Sequence, residues 1–257
     1  MNQPNYSMKV TTGMYVVQLM WTLAFLGVML IINIAKNVYA GFQGNEVEGF
    51  FNSVFIAGNV YMLILGLIAI NFLPYFVGNG ITRKDYFIGS TIASLLLSIS
   101  IAVITVVIFF IEKLIFNMLD FTYKIQTINE LDLDGNIIGD TIQSIILSPY
   151  VDPNENWLLA MLVLTVNIFV IYLLGWFISA SFYRFDWLIG LVSIVIAVVF
   201  KLLKDTFLRI TLDLPVVGWF STLDFLPMSI ALVGIALIIV ISIYLTRILT
   251  KRVVIKM

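Results

Sequence analysis

The sequence predicts an all-α integral membrane protein of six transmembrane helices, and three observations carry that prediction. Of its 257 residues, 61% are hydrophobic and only 11% are charged. A soluble domain is about half apolar and roughly a quarter charged. The mean hydropathy is +1.06. Long stretches free of Asp, Glu, Lys and Arg recur along the chain, and a helix of roughly 20 apolar residues crosses about 30 Å of hydrocarbon.

Charge-free runs place the spans. Residues 10–35 form a run of 26, 49–82 of 34, 86–111 of 26, 156–183 of 28 and 225–246 of 22. The run 187–200 has only 14 residues. It crosses if Leu202 and Leu203 are included while Lys201 and Lys204 snorkel to the interface. The expected spans are then 14–36, 54–77, 87–111, 157–182, 187–203 and 226–247, all in one transmembrane domain over 1–257.

The polar start, residues 1–7, lacks Lys and Arg and does not read as a cleavable signal. Met8, Val10, Met14 and Tyr15 alternate with Lys9, Thr11 and Thr12. That pattern suits a short N-terminal interfacial helix, or else the start of the first span. In the second span, Pro74 removes a backbone donor and is expected to bend the helix near its end. The third span carries Ser90, Ser94, Ser98 and Ala102 at four-residue spacing. Small residues so spaced line one stripe and let another helix approach. Packing is the stronger reading, and the lining of a polar path the weaker.

The outer segment 112–156 is long and acidic. Asp132-Leu133-Asp134-Gly135-Asn136 invites a calcium-loop reading but puts its Gly at the fourth position, where an EF-hand needs it at the sixth. A tight turn, of a hairpin between Ile128 and Ile138, is the simpler expectation. A short inner turn, Tyr183-Arg184-Phe185-Asp186, separates the fourth and fifth spans. Between the fifth and sixth, residues 201–224 mix Lys201, Lys204, Asp205, Arg209 and Asp213 with apolar residues. This predicts short helices lying in, or re-entering, the outer leaflet.

Six spans put both termini on one side. That side carries 8 basic residues and only 2 acids, Asp85 and Asp186, in the shorter segments. The other carries 6 basic residues and 13 acids. The excess of Lys and Arg in short loops orients both termini to the cytoplasm, with the chain in a cell membrane.

Several chemistries are excluded. Cys and His are absent, which removes thiol nucleophiles, disulfides and the commonest base and metal ligand. No GxxxxGK[ST] run is present. No charge-free run offers an ionisable residue at its centre for ion coupling. Asn33, Asn59, Asn71 and Asn167 remain, as interhelical hydrogen-bond partners. No catalytic, cofactor or metal site is expected, and an intramembrane enzyme is disfavoured. Nor is nucleic acid an expected partner. The apolar interior suits lipid-like or amphipathic cargo. An energy source would have to come from a partner acting on the cytoplasmic face.

The turn Gly80-Ile81-Thr82-Arg83-Lys84-Asp85-Tyr86-Phe87, set in six spans, resembles the permease subunits of type-2 ABC exporters. Members often carry a Gly-(Val/Ile)-(Ser/Thr)-Arg-Lys-like run after the second span. The resemblance implies a coupling helix at Gly80, Thr82, Arg83, Lys84, Asp85, Tyr86 and Phe87 that docks on a separate ATPase subunit. It also implies ATP on that subunit, a second permease copy or relative, and re-entrant helices before the last span. The family offers no role for the acidic outer segment. The chain is further similar to permeases of low-GC Gram-positive bacteria that export antimicrobial or cytolytic peptides. Plain topology anchoring is the competing account of Arg83 and Lys84. A rival of another class is the substrate-capturing membrane subunit of an importer.

Overall fold

The computed structural model describes residues 6–43, 49–118, 148–216 and 220–251. Every element within them is helical: α1 (Tyr6–Gln43), α2 (Phe50–Ala69), α3 (Phe72–Gly78), α4 (Arg83–Met118), α5 (Pro153–Arg184), α6 (Trp187–Thr211), a single 3₁₀ turn (Ser221–Leu223) and α7 (Met228–Lys251). Taking α2 and α3 together, six helices are long and apolar enough to cross a membrane. The hairpin expected at 128–138, and Gly218, Trp219, Arg252 and Lys256, lie outside the described residues.

The bundle is built around α5. In its most apolar stretch 67% of residues are buried, against 17% for α1. Helices α2, α4, α6 and α7 pack on it, and Gln18 of α1 donates to the Tyr172 hydroxyl at 2.9 Å. The closest approach is the crossing with α2. A Cβ on Gly175 would lie 2.5 Å from the Leu63 carbonyl oxygen, and one on Gly66 would strike the backbone of Tyr172. Only residues without side chains allow backbones this close.

The chain beginning of α1 and the end of α7 lie at one end of the bundle, called here the terminal face. Thr11 of α1 donates to Gly89 near the start of α4 at 3.2 Å. Arg83, the first residue of α4, donates to the Lys251 carbonyl at 3.5 Å.

Three expectations change. The N-terminal segment is not a separate interfacial helix, because α1 runs unbroken from Tyr6. Val10 and Met14, expected to lie on the membrane, are fully buried. The helix that carries the fifth span runs on past 203, to Thr211. The re-entrant helices expected over 201–224 are replaced, among the described residues, by the second half of that helix and one 3₁₀ turn. Lys201 and Lys204 therefore do not snorkel out: they are 6% and 0% exposed. The second span is interrupted, as Pro74 suggests. Its missing N–H would have bonded Ile70, and α2 ends one residue before that position.

Candidate functional site

The turn between α3 and α4 is a chain of backbone devices. Gly80 has φ +79, the left-handed conformation that closes a helix and that a Cβ disfavours. Its N–H bonds Val77 at 3.0 Å, and Ile81 N–H bonds Phe76 at 3.1 Å. Those two bonds are the pair of a Schellman motif. Thr82 then caps α4: its Oγ1 accepts from the Asp85 N–H at 3.1 Å and donates to Asp85 Oδ2 at 2.6 Å. The Thr82 hydroxyl thus satisfies one free N–H of the first turn, while the Asp85 carboxylate holds that hydroxyl and faces the positive end of the helix dipole. Ile81 and Tyr86 sit at the positions of a hydrophobic staple and join one apolar core.

Tyr86 and Phe87 therefore act as anchors and not as surface contacts. Tyr86 is wholly buried, and its hydroxyl donates to the Ala69 carbonyl at 2.5 Å. Ala69 is the last residue of α2, where the break leaves carbonyls without helical partners. Phe87 lies against Trp176 of α5 with ring centroids 5.6 Å apart, under the Arg247 guanidinium at 5.2 Å.

The basic residues at this end divide sharply. Arg184 donates to the Ile248 carbonyl at 2.5 Å and lies over the Phe185 ring at 4.9 Å. Arg83 reaches Lys251, and Arg247 donates to the Arg83 carbonyl at 3.3 Å. Arg83 and Arg184 thus neutralise carbonyls at the end of α7, where the helix dipole is negative. Lys84 is exposed and has no partner among the described residues. Around it the surface shows Tyr75, 66% exposed, with Asn79, Gly80 and Thr82. Phe185, Asp186 and Trp187 of the second turn are also exposed, and Tyr183 is half-buried.

The Ser90, Ser94 and Ser98 stripe, with Ala102, is fully buried. Ser90 Oγ contacts Met14 Sδ of α1 at 2.8 Å. Ser94 and Ser98 return their hydroxyls to their own helix, to Thr91 and Ser94 carbonyls at 2.9 Å. The stripe is satisfied within the packed interior.

A second cluster, missed in the sequence, lies at the other end. Lys201 pairs with Asp205 at 2.5 Å, and Lys204 pairs with the same carboxylate. Lys204 also donates to Asn167 Oδ1 of α5. Asn167 donates in turn to Asn59 Oδ1 of α2 at 2.6 Å. Arg209 is buried one turn further on and donates to the Pro215 carbonyl at 3.2 Å. The network ties α2, α5 and α6 together inside the bundle. The i,i+4 spacing of Lys201 and Asp205 was the available signal, since it puts both on one helix face.

No protein-family model matches the chain, and comparison with curated proteins and with solved structures yields no match. What the helices define is a multi-pass membrane protein: among the described residues six helices are long and apolar enough to span, one of which, α5, is central.

Proposed function

We propose that the chain is the permease subunit of an ATP-driven ABC exporter, moving amphipathic peptide or lipid-like cargo out of a bacterial cell. Its energy would come from ATP on a separate ATPase subunit, and two permease subunits, identical or related, would form the pathway. Both termini would be cytoplasmic, so the terminal face would meet the ATPase. Within the family, the staphylococcal exporter of phenol-soluble modulins is one member this chain is taken to resemble.

The observation that carries this reading is the construction of the turn at 78–87. Schellman motif, Thr82 cap and buried Tyr86 and Phe87 join α2, α3 and α4 into one stiff unit. That unit presents Tyr75, Asn79 and Lys84 outward. A push on this surface moves α4 directly, and α5 through the contacts of Tyr86 and Phe87 with Trp176. The test is purification of the intact complex from its native membrane. A Walker-motif subunit that hydrolyses ATP faster in the presence of amphipathic peptide is expected. A chain that purifies alone from active membranes would contradict the proposal.

One observation favours the importer reading. A cavity of about 270 Å³ lies between α2, α5 and α6, apolar along its walls with Asn59 and Lys201 at one end. Under that reading a non-lipid solute would copurify with the isolated chain and sit there.

A further inference from the structure

The break between α2 and α3 turns on one missing donor. Pro74 has no N–H, so the Ile70 carbonyl four residues back has no α-helical partner. The Leu73 N–H serves it instead, at 3.0 Å, and the Asn71 N–H bonds Ile68 at 2.9 Å. Both bonds reach back three residues. The chain therefore passes from α2 to α3 through a short stretch of 3₁₀ geometry, a form that often marks a hinge within a helix. Turning to Ile70 takes the Leu73 N–H away from Ala69, its partner in an unbroken helix. Ala69 and Leu73 are both wholly buried, and a carbonyl left open there costs free energy that lipid does not relieve. The Tyr86 hydroxyl, reaching across from α4, fills that place by donating to the Ala69 carbonyl at 2.5 Å.

One backbone donor, the Leu73 N–H, thus stands between two carbonyls, and Tyr86 decides which of them it serves. With the hydroxyl in place, Ala69 and Ile70 are both satisfied and the break is held. Without it, the Leu73 N–H is drawn back to Ala69, and Ile70 is left open because Pro74 has nothing to donate. What hangs on the break is α3, with the exposed Tyr75 and the turn at Asn79 and Gly80. A second tie to α4 is the Phe76 ring, 6.0 Å from that of Tyr86. That contact belongs to the ring and does not need the hydroxyl.

We propose that residues 69–73 form a hinge on which α3 and its turn tilt against α2, and that the Tyr86 hydroxyl is the latch that holds the hinge closed. The device belongs to this chain alone and holds whether the chain exports or captures. Under the permease reading, the latch sets whether a push on Tyr75 reaches α4 rigidly or is taken up at the hinge. The test follows hydrogen exchange in the full chain in lipid nanodiscs, read in peptides covering 71–79 and, as reference, 54–66. Tyr86→Phe removes the hydroxyl and keeps the ring. Exchange over 71–79 should rise about tenfold, the scale of one hydrogen bond to a buried carbonyl, while 54–66 stays unchanged. Pro74→Ala gives Ile70 an N–H of its own and frees that of Leu73 for Ala69, so the hydroxyl becomes dispensable. On that background, adding Tyr86→Phe should raise exchange by less than about twofold. A Tyr86→Phe chain that folds only together with Pro74→Ala supports the same pairing. The two peptides decide alone if Pro74→Ala does not fold. Exchange over 71–79 unmoved by Tyr86→Phe overturns the latch, and an equal rise over 54–66 overturns the hinge. So does the same rise persisting with Pro74→Ala, or a Tyr86→Phe chain that folds on neither background.

Discussion

At the terminal face, charged side chains sit where helices end. Asp85 closes the cap of α4, Arg83 and Arg184 cover the last carbonyls of α7, and Lys84 is exposed without a partner among the described residues. In the opposite half of the bundle, charged side chains sit inside a helix. Lys201, Lys204, Asp205 and Arg209 are all 6% exposed or less. The first arrangement uses charge where backbone dipoles and water already favour it. The second must satisfy charge internally, because ions taken out of water are costly unless paired and hydrogen-bonded. The contrast separates a face where charge caps helix ends from an interior network that holds three helices in register.

The comparison breaks most easily at Asp205. Asp205→Ala leaves Lys201 and Lys204 buried without their carboxylate and should cost about 3–5 kcal/mol. Thermal unfolding in detergent reads the loss. Adding Lys201→Met and Lys204→Met should restore most of it. A loss below about 1 kcal/mol, the scale of an exposed pair, would show that the network is solvated and the contrast false.

The next effect is at the α2–α5 crossing. Gly66→Leu forces a side chain against the backbone of Tyr172 and Trp176, and should destabilise by about 1–3 kcal/mol or more, in the range of core overpacking. Gly89→Leu would meet Val10 and Ser7 of α1 in the same way, so the glycine effect is not special to the centre. Smaller changes belong to the terminal turn. Gly80→Ala should cost about 1–2 kcal/mol for the left-handed conformation, and Thr82→Ala about 1 kcal/mol for the lost cap. Because both loosen the turn, under the proposed function each should lower coupled ATP hydrolysis more than its stability loss alone accounts for.

The six spans and the turn were legible because they depend on local pattern: long apolar runs, a glycine, a Thr-x-x-Asp cap. Packing of the Ser90–Ser98 stripe was legible for the same reason. The distal network was not, because a count of charge-free residues ends a span at Lys201 wherever its charge goes. Whether a lysine leaves the bundle or turns inward depends on Asn167 and Asn59, which lie on other helices. Likewise Tyr86 reads as part of an exposed turn until the break after Ala69 gives its hydroxyl a carbonyl to satisfy. Arg83, matched to a motif in the sequence, is half committed to the end of α7, which leaves Lys84 as the cleaner probe.

That residue provides the direct test. In a complex isolated with the proposed ATPase, Lys84→Glu should leave the unfolding temperature unchanged while cargo-stimulated ATP hydrolysis falls about tenfold, the cost of turning one favourable contact unfavourable at a docking interface. Unchanged stimulation with the same yield of complex would contradict the account of the terminal face as the place where energy enters.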